Sequence, residues 1–206
     1  MPESAGTIRE TESAALVTES PKELEFDLDS VHIEPIAKKH KRSAFVCTNS
    51  TIQNYCRNNA RQHNDDYMVR TFVACSGDSP EVLGYYYLAL TSYKIGEGDN
   101  HLDDKSNVKF DRSKAVPAVY LGMIGVHTPY KGKGIGSLLM MDAIQRTAKI
   151  SQHAGLYALA LDAVDETVAA YYSGKFGFKR FKGGTTGLEM FLPILEILAA
   201  LPQATV

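Results

Sequence analysis

Polar and apolar positions change their period several times along the 206 residues, and each change predicts an element. Residues 1 to about 25 carry no helical or strand period long enough to bury a face, and they are rich in Glu, Ser and Thr, which predicts a disordered tail. From Val31 the chain alternates. A helix is predicted from Ser50 to His63, because Ile52, Tyr55, Cys56 and Ala60 fall on one apolar stripe, with Thr48, Asn49 or Ser50 able to cap it. The runs Thr71 to Cys75 and Val82 to Leu90 are rich in β-branched and aromatic residues, with Gly77, Asp78 and Pro80 between them, so an antiparallel hairpin is expected. Residues 94 to 115 turn polar and predict a long surface loop.

The second half follows a different pattern, with no internal repeat. Ala118 to Val126 is a wholly apolar strand, followed by a glycine-rich turn from Tyr130 to Gly136 and a helix to about Gln152 whose stripe is Ile135, Leu138, Leu139, Ala143 and Ile150. Gly155 ends that helix, Leu156 to Leu161 is an apolar strand running to Asp162, and a short helix runs from about Glu166 into Tyr171 and Tyr172. Two apolar strands joined through a helix pair in parallel, whereas a hairpin pairs antiparallel. The fold class is therefore α/β (α+β mixed): one mixed sheet with helices, in a single domain over 26–206, the size expected of one core.

Composition narrows the setting. No apolar run reaches the ~18 residues a spanning helix needs, and the acidic N-terminus lacks the features of a signal or transit peptide, so a cytoplasmic location and no membrane partner are expected. Cys47, Cys56 and Cys75 form no CxxC pair and read as buried thiols, and the six histidines show no ligand spacing, so no metal is expected. The first thirty residues hold eight acids against Arg9 and Lys22. That net −6 within a chain total of −2 leaves a body of +4, compatible with an anionic partner.

The turn Lys131-Gly132-Lys133-Gly134-Ile135-Gly136-Ser137 sits where a strand ends and a helix opens. Unpaired N–H groups and the positive end of the helix dipole converge there, which is the chemistry of an anion site. Three glycines remove Cβ atoms from the approach to the main chain, and two lysines add charge; one glycine alone would mean only a tight turn. A nucleotide P-loop is excluded because GxxxxGK followed by Ser or Thr does not occur. A dinucleotide fold, with Asp162 as ribose ligand, stays as a rival, although the loop reads GxGxG and not GxGxxG.

The string Lys131 to Gly136 resembles the pyrophosphate motif of the GNAT acyltransferases, with Lys131 in the place usually held by Arg or Gln. The later features of that family follow in order: the strand ending in Asp162, the helix with Tyr171 and Tyr172, and Phe176-Gly177-Phe178. Ser43 to Cys47, Gly84 to Ala89, Leu121 to Val126 and Glu189 to Pro193 are most similar to the acetyltransferase toxins of bacterial type II toxin-antitoxin modules. The resemblance spans about Val31 to Pro193. It implies a mostly antiparallel sheet with one splayed parallel pair and helices on both faces. It also implies acetyl-CoA as cosubstrate, with Ile124, Gly125 and Val126 on the pantetheine amides and the loop from Lys131 through Ser137 on the diphosphate. The acceptor amine would be that of a charged tRNA, a small molecule or a protein, and an antitoxin protein and a second copy of the chain (a homodimer) are the protein partners it admits. Tyr172 takes the role of the acid that protonates the departing thiolate. The family places that tyrosine four residues before the glycine of the Phe-Gly-Phe element, whereas Tyr172 precedes Gly177 by five, so Tyr171 stands in reserve.

Structural roles compete with several of these. Adjacent tyrosines on a helix commonly serve packing, a lone His127 at a strand end is commonly a supporting residue, and Asp162, Asp165 and Glu166 sit where a helix wants caps and first-turn acids. Lys38, Lys39, His40, Lys41 and Arg42 form the one basic cluster, able to meet phosphates or simply solvent. A catalytically silent binding module of the same fold is the rival from another class, and it would have little need of the glycine loop.

Overall fold

The computed structural model describes residues 26–94, 115–181 and 186–201; the predicted tail and nearly all of the predicted 94–115 loop lie outside these. Its strands are β1 (Val31–Pro35), β2 (Arg70–Ser76), β3 (Gly84–Lys94), β4 (Ala115–Val126), β5 (Ala158–Asp162), β6 (Lys179–Arg180) and β7 (Glu189–Pro193). Among the described residues they form one seven-stranded sheet in the order β1-β2-β3-β4-β5-β7-β6. Only β4 and β5 pair in parallel; every other ladder is antiparallel. The parallel pair is the one joined through the long helix α3 (Ile135–Ser151), as a crossover connection requires.

The predicted first helix forms in three parts: α1 (Ser50–Asn54), a π-helical turn over Tyr55–Asn59, and α2 (Ala60–Asp65). Of the candidate caps, Asn49 does the work, its Oδ1 accepting from the N–H groups of Thr51 and Ile52 at 3.0 and 3.2 Å. Arg42 explains the widened turn, because its guanidinium donates to the carbonyls of Cys56 and Arg57 at 3.0 and 3.1 Å and so satisfies oxygens near the point where the regular ladder changes.

Helices cover both faces. On one, Leu139, Met140 and Ala143 of α3, with Ala169 of α4 (Glu166–Phe176) and Ile197 of α5 (Ile194–Ala200), pack against Phe72, Tyr86, Leu121, Leu159 and Met190 of the sheet. On the other, Cys56 and Ala60 pack with Phe45 against Val73, Cys75 and Tyr85. Tyr85 and Tyr86 thus point to opposite faces, as strand pleating dictates. Cys56 and Cys75 are buried free thiols, as expected, whereas Cys47 is half-buried. The N-terminal edge of the described chain reaches the turn that precedes α3: Phe26 lies 5.2 Å from the Tyr130 ring, and Leu28 covers Gly134.

Candidate active site

The sheet opens at its middle. Pairing between β4 and β5 stops at Tyr120 and Ala160, while β4 continues alongside β3 as far as Val126. From Leu121 onward the other edge of β4 has no strand partner, so its outward main-chain groups are available to a ligand. The β3–β4 register also slips: Tyr85 faces Gly125 but Tyr87 faces Gly122, leaving Met123 and Ile124 opposite a single residue. Met123 takes a φ of +52°, an uncommon conformation for a residue with a side chain, and this bulge twists β4 away from β5. The resulting cleft has a volume of about 580 Å³. Ile124, Gly125 and Val126, chosen from the sequence for pantetheine, all line it, as do Lys131 and Gly136.

The glycine loop closes one end. Gly132 and Gly134 have φ of +81° and +89°, so glycine is required at both by the backbone; Gly136 does not, and a Cβ there would stand 3.6 Å from Val126 Cγ2. The helix α3 begins without a side-chain cap. Lys131 and Lys133 spend their N–H groups on the carbonyls of Thr128 and Tyr130, and Ser137 spends its own on Gly134. The N–H groups of Gly132, Gly134, Ile135 and Gly136 have no acceptor among the described residues. Four free donors at the positive end of a seventeen-residue helix fit a diphosphate, and an uncharged loop filler would leave them unsatisfied. Ile135 contributes only main chain, since its side chain is fully buried in the core. Lys133 turns to the Phe26 ring at 5.4 Å, which leaves Lys131 as the loop lysine on the cleft.

The two tyrosines of α4 divide sharply. Asp165 caps the helix through Val168 N–H at 2.8 Å, and regular α-helix runs from there to Phe176, with Gly177 in the left-handed region ending it. Tyr172 stands five residues before Gly177 on this uninterrupted helix. Tyr172 packs its ring 6.0 Å from Phe178 and 6.4 Å from Phe176, lines the cleft, and makes no hydrogen bond through its hydroxyl among the described residues. Burial, with a smaller push from Tyr171, raises its pKa to about 12, so it holds its proton firmly at neutral pH. Tyr171 is 47% exposed, and its hydroxyl meets Ser137 Oγ at 3.3 Å. That hydrogen bond, followed by the nearby Lys175, holds its pKa below the ordinary phenol value. Lys175 itself donates to Ser137 Oγ at 2.6 Å. Sequence spacing gave no hint of Lys175, because only the packing of α4 beside the start of α3 brings this ammonium to the loop.

Other candidates resolve into structure. His127 Nδ1 lies 3.0 Å from the Val46 N–H, and its ring sits between Phe45 and Tyr130, so it ties the 45–47 segment to the loop and does not line the cleft. Glu166 pairs with Arg180. Asp162 is no cap: it ends β5 in the cleft and accepts the Tyr120 hydroxyl at 2.9 Å. Of the basic cluster, Lys39 and His40 bond to Glu34 and Arg42 to the π turn. Glu34, His40 and Cys75 approach within 4.8 Å, the spacing of metal ligands. However, Ala37 N–H donates to His40 Nδ1 at 2.8 Å, which puts the imidazole proton on Nε2, toward Glu34 at 3.0 Å, and removes the lone pair a metal would need.

Comparison with known proteins places this geometry. Residues 43–178 match the Acetyltransferase (GNAT) family. The protein named "Probable toxin TacT" from Sinorhizobium fredii is 31% identical over 173 residues, covering 80% of this chain and 92% of that protein. The tRNA-acetylating toxin of Mycobacterium tuberculosis is 28% identical over 130 residues, covering 63% and 74%. AtaT complexed with acetyl-methionyl-tRNAfMet superposes with a TM-score of 0.71 at 19% identity, covering 82% of this chain and 98% of that one. No helix among the described residues is long and apolar enough to cross a membrane.

Proposed function

The chain belongs to the GNAT acetyltransferase family, and from that premise we propose that it transfers the acetyl group of acetyl-CoA to the amino group of an aminoacyl-tRNA, as the toxin of a toxin-antitoxin pair. The observation that carries this reading is the set of four N–H groups at the start of α3 that have no acceptor among the described residues, opening into a cleft lined by Tyr172, whose hydroxyl makes no hydrogen bond among them. Acetyl-CoA supplies an acyl carbon activated as a thioester. The N–H groups of Gly132, Gly134, Ile135 and Gly136 would hold its diphosphate, with Lys131 beside it, and the free edge of β4 at Ile124 to Val126 would pair with the pantetheine amides. Tyr172 then serves as general acid: as the acceptor nitrogen bonds to the acyl carbon and the carbon–sulfur bond breaks, the phenolic proton passes to the sulfur, the amine loses its own proton to solvent, and the phenolate regains a proton from solvent. Burial raises this phenol to about 12, so its proton is in place at neutral pH before the thiolate appears.

The tRNA acceptor is supported by the relatives, one a tRNA-acetylating toxin and the AtaT structure containing acetyl-methionyl-tRNAfMet. It carries with it a cytoplasmic location, where charged tRNA is made, and an antitoxin that restrains the activity. A small-molecule or protein amine is the second reading, favoured by the commitment of Lys39, His40 and Arg42 to internal partners in place of a phosphate backbone. Incubation with labelled acetyl-CoA and a charged tRNA pool distinguishes them: label should enter the aminoacyl group of the tRNA, and label entering only a panel of free amines would select the second reading.

A further inference from the structure

The cleft is electrically lopsided. Among its lining residues only Lys131 and Asp162 carry charge, the first at the glycine-loop end and the second at the end of β5. The other described lining residues are apolar, hydroxylic or amide, with the thiol of Cys47 among them. Asp162 stands just beyond the last paired residues of β4 and β5, on the sheet face that also carries Tyr120 and Ala160. This is the face covered farther along by α1 and α2, opposite to α3 and the loop. One carboxylate oxygen accepts the Tyr120 hydroxyl at 2.9 Å, and the carboxylate has no ion pair among the described residues. Tyr120 is itself held in place, its ring 6.4 Å from that of Tyr87, which in turn lies over Gly122 so closely that a Cβ there would come within 2.2 Å of the ring. A carboxylate that lines the cleft, fixed at one oxygen by a packed tyrosine and with no partner for the other among the described residues, is a receptor for a cation, and no cation of the described chain fills it.

We propose that Asp162, oriented by Tyr120, is the residue that receives the amino group of the acceptor. The proposal rests on the acetyltransfer reading above and names the acceptor half of the same site. It assigns the two charges of the cleft to the two substrates: Lys131 and the loop to the anionic cosubstrate, Asp162 to the cationic amine. The role persists through the reaction. An α-amine, with a pKa of about 7.7 to 8.0, arrives largely as ammonium, which the carboxylate captures. After that proton departs to solvent the neutral nitrogen attacks, and as its bond to the acyl carbon forms the nitrogen gains positive charge, which the same carboxylate opposes at short range. Atoms balance without any further reagent: the nitrogen–carbon bond replaces the carbon–sulfur bond, and Asp162 returns unchanged.

Asp162→Asn keeps the shape and the Tyr120 contact but removes the charge. In the full chain, with a charged tRNA pool as acceptor, kcat/KM should fall about 10- to 100-fold, the range for losing a charge-assisted hydrogen bond, and Asp162→Glu should recover part of it. The dissociation constant of acetyl-CoA, read by calorimetry, should stay within about twofold, because the loop is untouched. A merely structural role would not alter charge selectivity. At pH 6.5, leucine methyl ester should therefore inhibit the native enzyme better than its hydroxy-acid analogue, and this preference should vanish in Asp162→Asn. Unchanged kcat/KM with charged tRNA, or an undiminished preference for the ester, overturns the proposal while leaving the acetyltransferase reading intact. If the native chain acetylates neither the tRNA pool nor the ester, it is the acetyltransfer reading that fails.

Discussion

Replacing Gly134 by Ala tests the phosphate cradle at its most constrained point. The residue has φ +89° and ψ −14° and caps α3 with main chain alone. An L-residue held in the left-handed region costs about 1–2 kcal/mol. The new Cβ would also come 3.0 Å from Leu28 Cδ2, a contact that a small shift of a side-chain tip relieves. If the loop keeps its shape, stability in urea should drop by about 1–2 kcal/mol and the melting temperature by roughly 2–8 °C for a chain of this size. If the strain is instead released by turning the peptide, at least one of the four N–H groups leaves the anion. A charge-assisted hydrogen bond is worth about 1.5–3 kcal/mol, so acetyl-CoA should then bind roughly 10- to 100-fold more weakly with stability nearly restored. Adding Leu28→Ala should not rescue either loss, since the backbone and not the contact is at fault. Gly136→Ala is the companion measurement. No positive φ is needed there, so folding should be as firm as before or firmer, yet the methyl group lines the cleft and should weaken acetyl-CoA several-fold. Gly134→Ala with unaltered stability and unaltered acetyl-CoA affinity would refute the assignment of this loop to a phosphate group.

Two further outcomes are expected. Tyr172→Phe should keep the fold and the acetyl-CoA affinity, because its hydroxyl has no partner among the described residues to strand, while single-turnover transfer slows by about 10² to 10⁴; if Tyr171→Phe slows transfer and Tyr172→Phe does not, the acid is Tyr171. Glu34 is held down to about 2 by hydrogen bonds from Lys39 and then His40, so it contributes stability above its unfolded value of 4.5 and loses that contribution as pH falls toward 2. Urea midpoints measured over that window should therefore fall more steeply for the native chain than for Glu34→Gln, and parallel curves would show the pair to be inert.

Much of the site was readable because it is local. The glycine loop is a contiguous string whose conformation depends on its own φ values, and the α3 stripe, the β2–β3 hairpin and the parallel crossover all follow from period and punctuation. What escaped the sequence is what depends on distant partners. The π turn in the first helix exists through Arg42, eight residues before that helix begins, and periodicity alone reads straight through it. β4 begins three residues before the expected Ala118 because Pro117, normally a strand breaker, uses its carbonyl to accept from Tyr157 N–H at 2.7 Å and needs no N–H of its own. β6 and α5 are too short for any period to register. Asp162 read as a first-turn acid, but Asp165 took the cap and left Asp162 to the cleft. The basic cluster looked like one surface until His40 folded inward onto Glu34.

The contact of Phe26 with the glycine loop makes the cradle observable. The chain contains no tryptophan, so Phe26→Trp would place its sole indole where the present ring meets Tyr130 at 5.2 Å and the Lys133 ammonium at 5.4 Å. Indole emission responds to nearby charge, and a diphosphate settling on the loop would alter the field of that ammonium. One substitution outside the cleft thus gives the molecule an optical gauge of cosubstrate arrival, readable in stopped flow on the time scale of binding and silent toward the chemistry that follows.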